Sequence, residues 1–516
     1  SGAEAVHPGY GFLAENSVFA RSCDEAGVTW IGPPAEAIDA MGSKTKAREL
    51  MKAAGVPIVP GTTDPVETVQ DARRIIDESL GYPVAVKAAG GGGGKGFRVA
   101  ESEEELKDAF EGAAREGEKF FSDATVYIER YLADPRHVEV QVLADSHGNV
   151  IHLFERDCSV QRRHQKLIEE SPAPAVDSDL REQIGKIGVD AARAVGYRSA
   201  GTIEGLLADG EYFFLEMNTR VQVEHCVTEM VTGVDIVREQ IRVAAGEELA
   251  FTQDDIVIRG HAIECRINAE DASQRFAPAP GQITAYREPS GPGVRVDSGA
   301  ESGYAVLPLY DPMIAKLIVW DTDREASTRR MLRALSEFQV DGLRTLLPFH
   351  KALMATDQWA RGETCRDLVE DKDWLSQLAF PKSRRPAEEH GDEPRVEREY
   401  AVEVSGRRFD VKVIGEGFGG VGNGVAPAAG RRPPRRSERK SAIAGGPDEI
   451  TSPLQGTMWK VKVKKGDTVE KGQLLCIIEA MKMENEITAH KGGTVAELPI
   501  EEGRPIGAGD PIATIR

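Results

Sequence analysis

From Ser1 to about Phe380, short apolar runs alternate with longer amphipathic stretches. "YPVAVKAA", "ATVYIERYL", "HVEVQVLAD" and "YFFLEMN" read as strands, while "SEEELKDAFEGAAREGEKF" and "DLREQIGKIGVDAARAV" carry helical periodicity. Strands interleaved with helices predict a large α/β unit. Beyond it, "YAVEVSGRRFDVKVIG" alternates with period two and predicts an antiparallel pair joined at a Ser-Gly turn. The chain then turns to Gly, Pro, Ala and Arg in "GEGFGGVGNGVAPAAGRRPPRRSERKSAIAGG". That composition buries no core and reads as a linker, its basic cluster being a solvated stretch more readily than a docking patch.

The last 67 residues, Ile450 to Arg516, contain a repeat. Gly456, Val461, Val463, Gly466, Val469, Gly472, Leu475 and Ile478 recur 37 positions later as Gly493, Leu498, Ile500, Gly503, Ile506, Gly509, Ile512 and Ile515. Two copies of one strand unit predict a flattened barrel in which each copy buries the other's apolar face. Between them lies "IIEAMKMENEIT", which puts Lys482 on a hairpin tip between Met481 and Met483. A lysine at a turn is usually just a surface lysine. Turns, however, favour Gly, Asn, Asp and Pro, and two exposed thioethers gain nothing in water, so a protein that covers them and reaches the lysine is the sharper reading.

Composition narrows the classes. The 516 residues are 41% hydrophobic and 29% charged, which suits several globular domains. A net charge of −20 argues against a nucleic-acid binder, because phosphate recognition needs a basic surface. No apolar run approaches a membrane span, and the start is neither a signal nor a transit segment. Six scattered cysteines without a C-x-x-C pair indicate neither a disulfide framework nor a zinc cluster, and a reducing cytoplasm is the expected compartment.

Two stretches carry chemistry. "VKAAGGGGGKGFRVA" matches a dinucleotide fingerprint only formally, since "GFRVA" reads as a strand where a helix should open. A P-loop also fails, because Gly96 follows Lys95. What remains is either a flexible glycine loop or a glycine-rich hairpin that closes backbone N–H groups over phosphates, with Lys87 as charge partner. In "FLEMNTRVQVEH", Glu216, Asn218, Arg220, Gln222 and Glu224 occupy alternate positions, so an extended chain puts all five on one face. A half-exposed strand reads the same way, but apolar flanks suggest burial, where such groups are costly unless engaged. Oxygen donors from Glu204, Glu216 and Asn218 suit Mg²⁺, Arg220 suits a small planar oxyanion such as bicarbonate, and Glu224 suits a base.

"EAMKMEN" resembles the biotin-attachment motif of biotinyl carrier domains, with Lys482 as the lysine amide-linked to biotin; lipoyl domains usually have Asp-Lys-Ala there. "HPGYGFLAEN", "MGSK", "AAGGGGGKG", "HVEVQVLAD", "ERDCSVQRRHQKLIEESPAP", "FLEMNTRVQVEH" and "GHAIECRINAED" together resemble the biotin carboxylase family of ATP-grasp enzymes, in that family's order. The implied fold class is multidomain α/β. It joins an ATP-grasp biotin carboxylase, with an incomplete Rossmann-like N-terminal lobe, to a C-terminal all-β biotinyl/lipoyl-like barrel-sandwich hybrid domain. The resemblance implies that Lys44, Lys87, the loop residues Gly91, Gly92, Gly93 and Gly94, Glu129, Leu132, His137 and Lys166 contact ATP or the phosphoryl group. It implies Mg²⁺, or Mn²⁺, on Glu204, Glu216 and Asn218; bicarbonate on Arg220, Gln222 and Val223; Glu224 as base; and Arg266 as the group that stabilises the biotin ureido oxygen.

The expected domains are a remnant of the N-terminal lobe at 1–43, an ATP-grasp domain at 44–260 with a lid at about 60–131, and a biotin carboxylase C-terminal domain at 261–380. A short β segment and linker follow at 381–449, then a biotin carrier at 450–516. The family's usual opening strand and helix unit ahead of "HPGYGF" is expected to be missing, and residues Glu397 to Ile414 are too few for the subunit-docking domain of some relatives. The implied partners are a biotin protein ligase, a carboxyltransferase β-subunit and further copies of the chain, assembled through the biotin carboxylase region, with no nucleic acid or membrane. An acetyl- or propionyl-CoA carboxylase α-chain is the leading expectation. The alternatives are a piece of a pyruvate or urea carboxylase, an inactive biotin carrier fragment, or a non-biotin ATP-grasp ligase, which leaves the C-terminal repeat unexplained.

Overall fold

The structure, a computed structural model, describes residues 2–62, 64–88, 96–121, 123–163, 165–378, 396–404, 407–415, 448–452, 456–480, 483–507 and 509–516. The glycine-rich stretch is flanked by strands of a three-stranded antiparallel sheet, formed by β1 (Val84–Ala88), β2 (Phe97–Ala100) and β3 (Val126–Arg130) with β1 in the middle. "GFRVA" is thus a strand, as its β-branched and aromatic content predicts. Helix α1 (Glu103–Phe121) covers this sheet with Leu106, Phe110 and Ala113, which pack with Val84, Val86 and Ile128.

The main body is an eight-stranded sheet. Its strands are β4 (Arg136–Ala144), β5 (Val150–Arg162), β6 (Gln165–Ser171), β7 (Ser199–Ala208), β8 (Glu211–Asn218), β9 (His261–Asn268), β10 (Val294–Ser298) and β11 (Met313–Asp321), in the spatial order 8-7-4-5-6-9-11-10. Every pairing in it is antiparallel. Helix α2 (Ser178–Ala194) starts where the Asp177 carboxylate accepts from the Leu180 N–H, and buries Ile184, Ile187 and Ala191 against the sheet. It lies close because Gly185 and Gly188 face β5 and β4: a Cβ on Gly188 would sit 2.7 Å from Val140. Beyond the other half of the sheet, Ile263, Ile267, Leu317 and Val319 pack with Met331 and Leu335 of α4 (Arg324–Glu337). Between α2 and α4 in the chain, the short helix α3 (His225–Thr232) ends at Gly233, whose φ of +77° is the left-handed conformation glycine adopts without penalty.

"YAVEVSGRRFDVKVIG" is an antiparallel pair, Val396–Val404 with Arg407–Gly415; its turn residues lie outside the described ones. The C-terminal repeat forms two four-stranded sheets. Gly456–Val461 and Leu474–Ala480 belong to one, and their repeat mates Gly493–Glu497 and Pro511–Ile515 to the other. Leu475, Ile478, Ile512 and Ile515 are all fully buried in the shared core. The paired glycines make paired turns, Gly466 and Gly503 at φ +97° and +80°, Gly472 and Gly509 at +88° and +90°. Leu474–Ala480 pairs with Met483–Thr488 as far as Ala480 opposite Met483, and Met481 and Lys482, the expected attachment site, lie outside the described residues.

All six cysteines are free and buried. Among the described residues no helix is long and apolar enough to cross a membrane.

Candidate active site

Strands β4, β5, β6 and β7 carry charged residues on one face of the sheet, and α3 enters above them with Glu224 at its N-cap position. Lys166 on β6 is the hub. Its Nζ donates to Glu139 at 2.5 Å, Glu204 at 2.9 Å and Glu224 at 2.6 Å. Arg266 on β9 spans two acids, Nε to Glu169 at 2.6 Å and Nη2 to Glu224 at 2.8 Å. Beneath them Arg156 is fully buried and donates to Glu139, Gln141, Thr228, Thr202 and Gln222. Five donors in a rigid fork let one guanidinium fix β4, β7, α3 and the segment that leads into α3, which no lysine could do.

The expected row of five polar groups forms differently. Strand β8 ends at Asn218, so alternation does not continue through Glu224. Cross-links bring most of the groups together instead. Asn218 Nδ2 and Gln222 Nε2 both donate to Glu204 Oε1, at 2.8 and 2.6 Å, and Arg220 Nη2 donates to Asn218 Oδ1 at 2.8 Å. Glu216 is half-buried opposite Glu204 in the β7–β8 ladder. His137 Nε2 lies 2.9 Å from Glu204. The Val223 carbonyl accepts from Lys316 at 2.9 Å.

Other expected residues lie elsewhere. Lys87 and Glu129 form an ion pair on the three-stranded sheet, with Arg48 3.5 Å from the same carboxylate. Leu132 packs with Val59 and Phe213. Gly91, Gly92, Gly93 and Gly94 and the Lys44 side chain lie outside the described residues.

The electrostatics follow from burial among cations. Burial alone would raise the Glu224 pKa, but Lys166, Arg266 and Arg156 outweigh it and hold this carboxylate well below the usual range. Burial likewise opposes, and Lys166 and His137 overcome, at Glu204. Glu169 moves the other way, to about 7, because burial outweighs Arg266 and the Glu224 charge adds to it.

Sequence reasoning missed Arg156, Glu139, Glu169 and Glu15. Glu15 accepts from Arg220 Nε at 3.1 Å and the Thr219 N–H at 3.0 Å, across some 200 residues of sequence. A legible signal existed for Arg156: "FERDCSV" puts three consecutive charges in the middle of a strand-like run. Nothing local marks Glu15.

Four family models match in chain order: Biotin carboxylase, N-terminal domain, at residues 1–38; Carbamoyl-phosphate synthase L chain, ATP binding domain, at 43–252; Biotin carboxylase C-terminal domain at 264–371; and Biotin-requiring enzyme at 447–515. A pyruvate carboxylase subunit of Methanothermobacter thermautotrophicus is 56% identical over 371 residues, covering 72% of this chain and 75% of that protein. The biotin-dependent acyl-coenzyme A carboxylase alpha3 subunit of Mycobacterium leprae is 43% identical over 524 aligned positions, covering 100% of this chain and 87% of that protein. The crystal structure of the Hydrogenobacter thermophilus 2-oxoglutarate carboxylase biotin carboxylase domain dimer, in complex with MgADP, ADP and bicarbonate, aligns with a TM-score of 0.67 at 48% identity, over 74% of this chain and 84% of that one.

The architecture is thus an ATP-grasp biotin carboxylase fold followed by a C-terminal biotinyl/lipoyl-like all-β domain. The chain belongs to the biotin carboxylase family and carries a biotin-domain segment after its biotin carboxylase domains.

Proposed function

We propose that the chain carboxylates biotin carried on Lys482, using ATP and bicarbonate, and passes the carboxyl group to a separate carboxyltransferase β-subunit that acts on acetyl-CoA, propionyl-CoA or a related acyl-CoA. One observation carries the acyl-CoA reading: the likeness to an acyl-CoA carboxylase α-subunit runs through the biotin domain, whereas the pyruvate carboxylase relative matches 72% of this chain. A biotin protein ligase would attach the cofactor. Self-association through the biotin carboxylase region fits the dimer seen in the 2-oxoglutarate carboxylase relative.

Glu204, Glu216 and the Asn218 amide make a hard oxygen donor set that fits Mg²⁺, or Mn²⁺, and these residues would hold it. The metal, when bound, neutralises charge on the nucleotide phosphates. Lys44, Lys87, Gly91 to Gly94, Glu129, Leu132 and His137 would contact the nucleotide, and Arg220, Gln222 and Val223 the bicarbonate.

Glu224 would take the bicarbonate proton, but between Lys166 and Arg266 its charge is too well satisfied for a strong base. Substrate binding resolves this: Lys166 turns toward the transferring phosphoryl group and Arg266 toward the ureido oxygen, and the partly deserted Glu224 gains basicity. The deprotonated bicarbonate then attacks the γ-phosphorus of ATP, expelling ADP and forming carboxyphosphate. Its breakdown supplies CO₂ and phosphate, the phosphate removes the proton from biotin N1′, and N1′ adds to the CO₂ to give carboxybiotin. The test is ATP hydrolysis by the full chain with Mg²⁺ and free biotin. Turnover that requires both bicarbonate and biotin supports the reading; turnover indifferent to both overturns it.

A further inference from the structure

Beyond the residues given roles above, β6 and β9 hold a second pair of acids. Glu264 stands directly opposite Glu169 in their antiparallel ladder, so both side chains leave the same face within reach of each other. Both are fully buried. Among the described residues, three of their four carboxylate oxygens have no hydrogen-bond partner: Glu169 Oε2 and both oxygens of Glu264. The fourth, Glu169 Oε1, accepts from Arg266.

The charges facing this pair can be counted. Arg266 lies two residues along β9 from Glu264 and is shared with Glu224. Lys166 is three residues before Glu169 on β6 and committed to Glu139, Glu204 and Glu224. Lys316 on β11 is held by the Val223 carbonyl, the Cys226 thiol and, at 3.3 Å, Asp297 of β10. Glu224 and Cys226 face it from α3, and Arg295 is occupied by Asp297 and Glu229. The nearby cations are thus already engaged, and two ionised carboxylates side by side would leave one uncompensated. One proton would remove the conflict, because a neutral Glu264 has an O–H to offer Glu169 Oε2.

We propose that Glu169 and Glu264 hold one proton between them and act as a positioning pair for Arg266, Glu169 orienting the guanidinium and neutral Glu264 keeping Glu169 charged. Burial and the Glu169 charge push Glu264 well above the carboxylate range, and burial brings Glu169 to about 7, in accord with this assignment. Above that pH, Arg266 rests between two carboxylates. When Glu224 takes the bicarbonate proton, Glu169 still holds the guanidinium in register for the developing ureido oxyanion. The positioning role rests on the function proposed above; the shared proton does not.

Infrared spectroscopy of the full chain at about pH 9, where ordinary carboxyls are ionised, is expected to show a carboxylic-acid C=O band that Glu264→Gln removes. Absence of the band in the wild type, or its survival in Glu264→Gln, overturns the shared proton. Should Glu264→Gln not fold, the wild-type spectrum decides. The role at Arg266 is read from the pH profile of bicarbonate-dependent ATP cleavage. Glu169→Gln is expected to abolish a step near pH 7, and Glu264→Ala to move it upward by about one unit, because the donor that keeps Glu169 charged is gone. A profile unchanged in Glu169→Gln overturns the positioning role. Absence of ATP cleavage in the wild type counts against the proposed function and leaves the infrared result to stand on its own.

Discussion

Lys166→Met is the sharpest test of the buried charge cluster. Methionine keeps nearly the same length and volume, so packing changes little. What disappears is the cation 2.5 to 2.9 Å from the carboxylates of Glu139, Glu204 and Glu224. Each acid retains other partners: Arg156 for Glu139, Arg266 for Glu224, and His137, Asn218 and Gln222 for Glu204. The loss is therefore that of one member of a buried ion pair, about 3–5 kcal/mol, and not three times that.

Its pH dependence has a definite sign. In the wild type the folded pKa values of Glu204 and Glu224 are depressed, so their contribution is fully present above the ordinary glutamate value of about 4.3 and is lost only below it. In the variant, burial dominates and pushes both upward, a penalty present at neutral pH and relieved as the acids take up protons. The deficit should shrink by more than half between about pH 8 and about pH 5. Hydrogen exchange of β5 amides across a urea series reads this region separately from the carrier domain. A deficit below about 1 kcal/mol at pH 8, or one that grows on acidification, refutes the reasoning.

Glu224→Gln should cut bicarbonate-dependent ATP cleavage by roughly 10²–10⁴-fold while nucleotide affinity, measured by calorimetry, stays within a few-fold; undiminished turnover would remove it as the base. Glu15→Gln weakens the hold on Arg220 and should raise the bicarbonate KM several-fold with kcat little changed, which steady-state kinetics separates. In Lys482→Arg the charge remains but the acylable amine does not, and the chain should no longer bind streptavidin; persistent labelling would locate biotin on another lysine.

Local chemistry made much of this molecule legible. The 37-residue repeat encodes its two-sheet barrel because each turn needs a glycine at positive φ and each strand an apolar face, and both requirements are written within a few residues. The same holds for "GFRVA" as a strand and for α1 and α2, whose periodic faces announce themselves. Glu204, Asn218, Arg220, Gln222 and Glu224 were visible as residues, but period-two alternation gave the wrong geometry: the chain leaves β8 at Asn218, Glu204 on the neighbouring strand gathers Asn218 and Gln222, Arg220 reaches the group through Asn218, and Glu224 through Lys166. Arg156 beneath Lys166, Glu15 behind Arg220, and the facing pair Glu169 and Glu264 depend on strand register and on contacts between distant segments. Electrostatic interactions act across space, between charges that neighbouring residues do not specify, so the sequence determined which chemical groups were present and only the tertiary structure decided which of them share a charge or a proton.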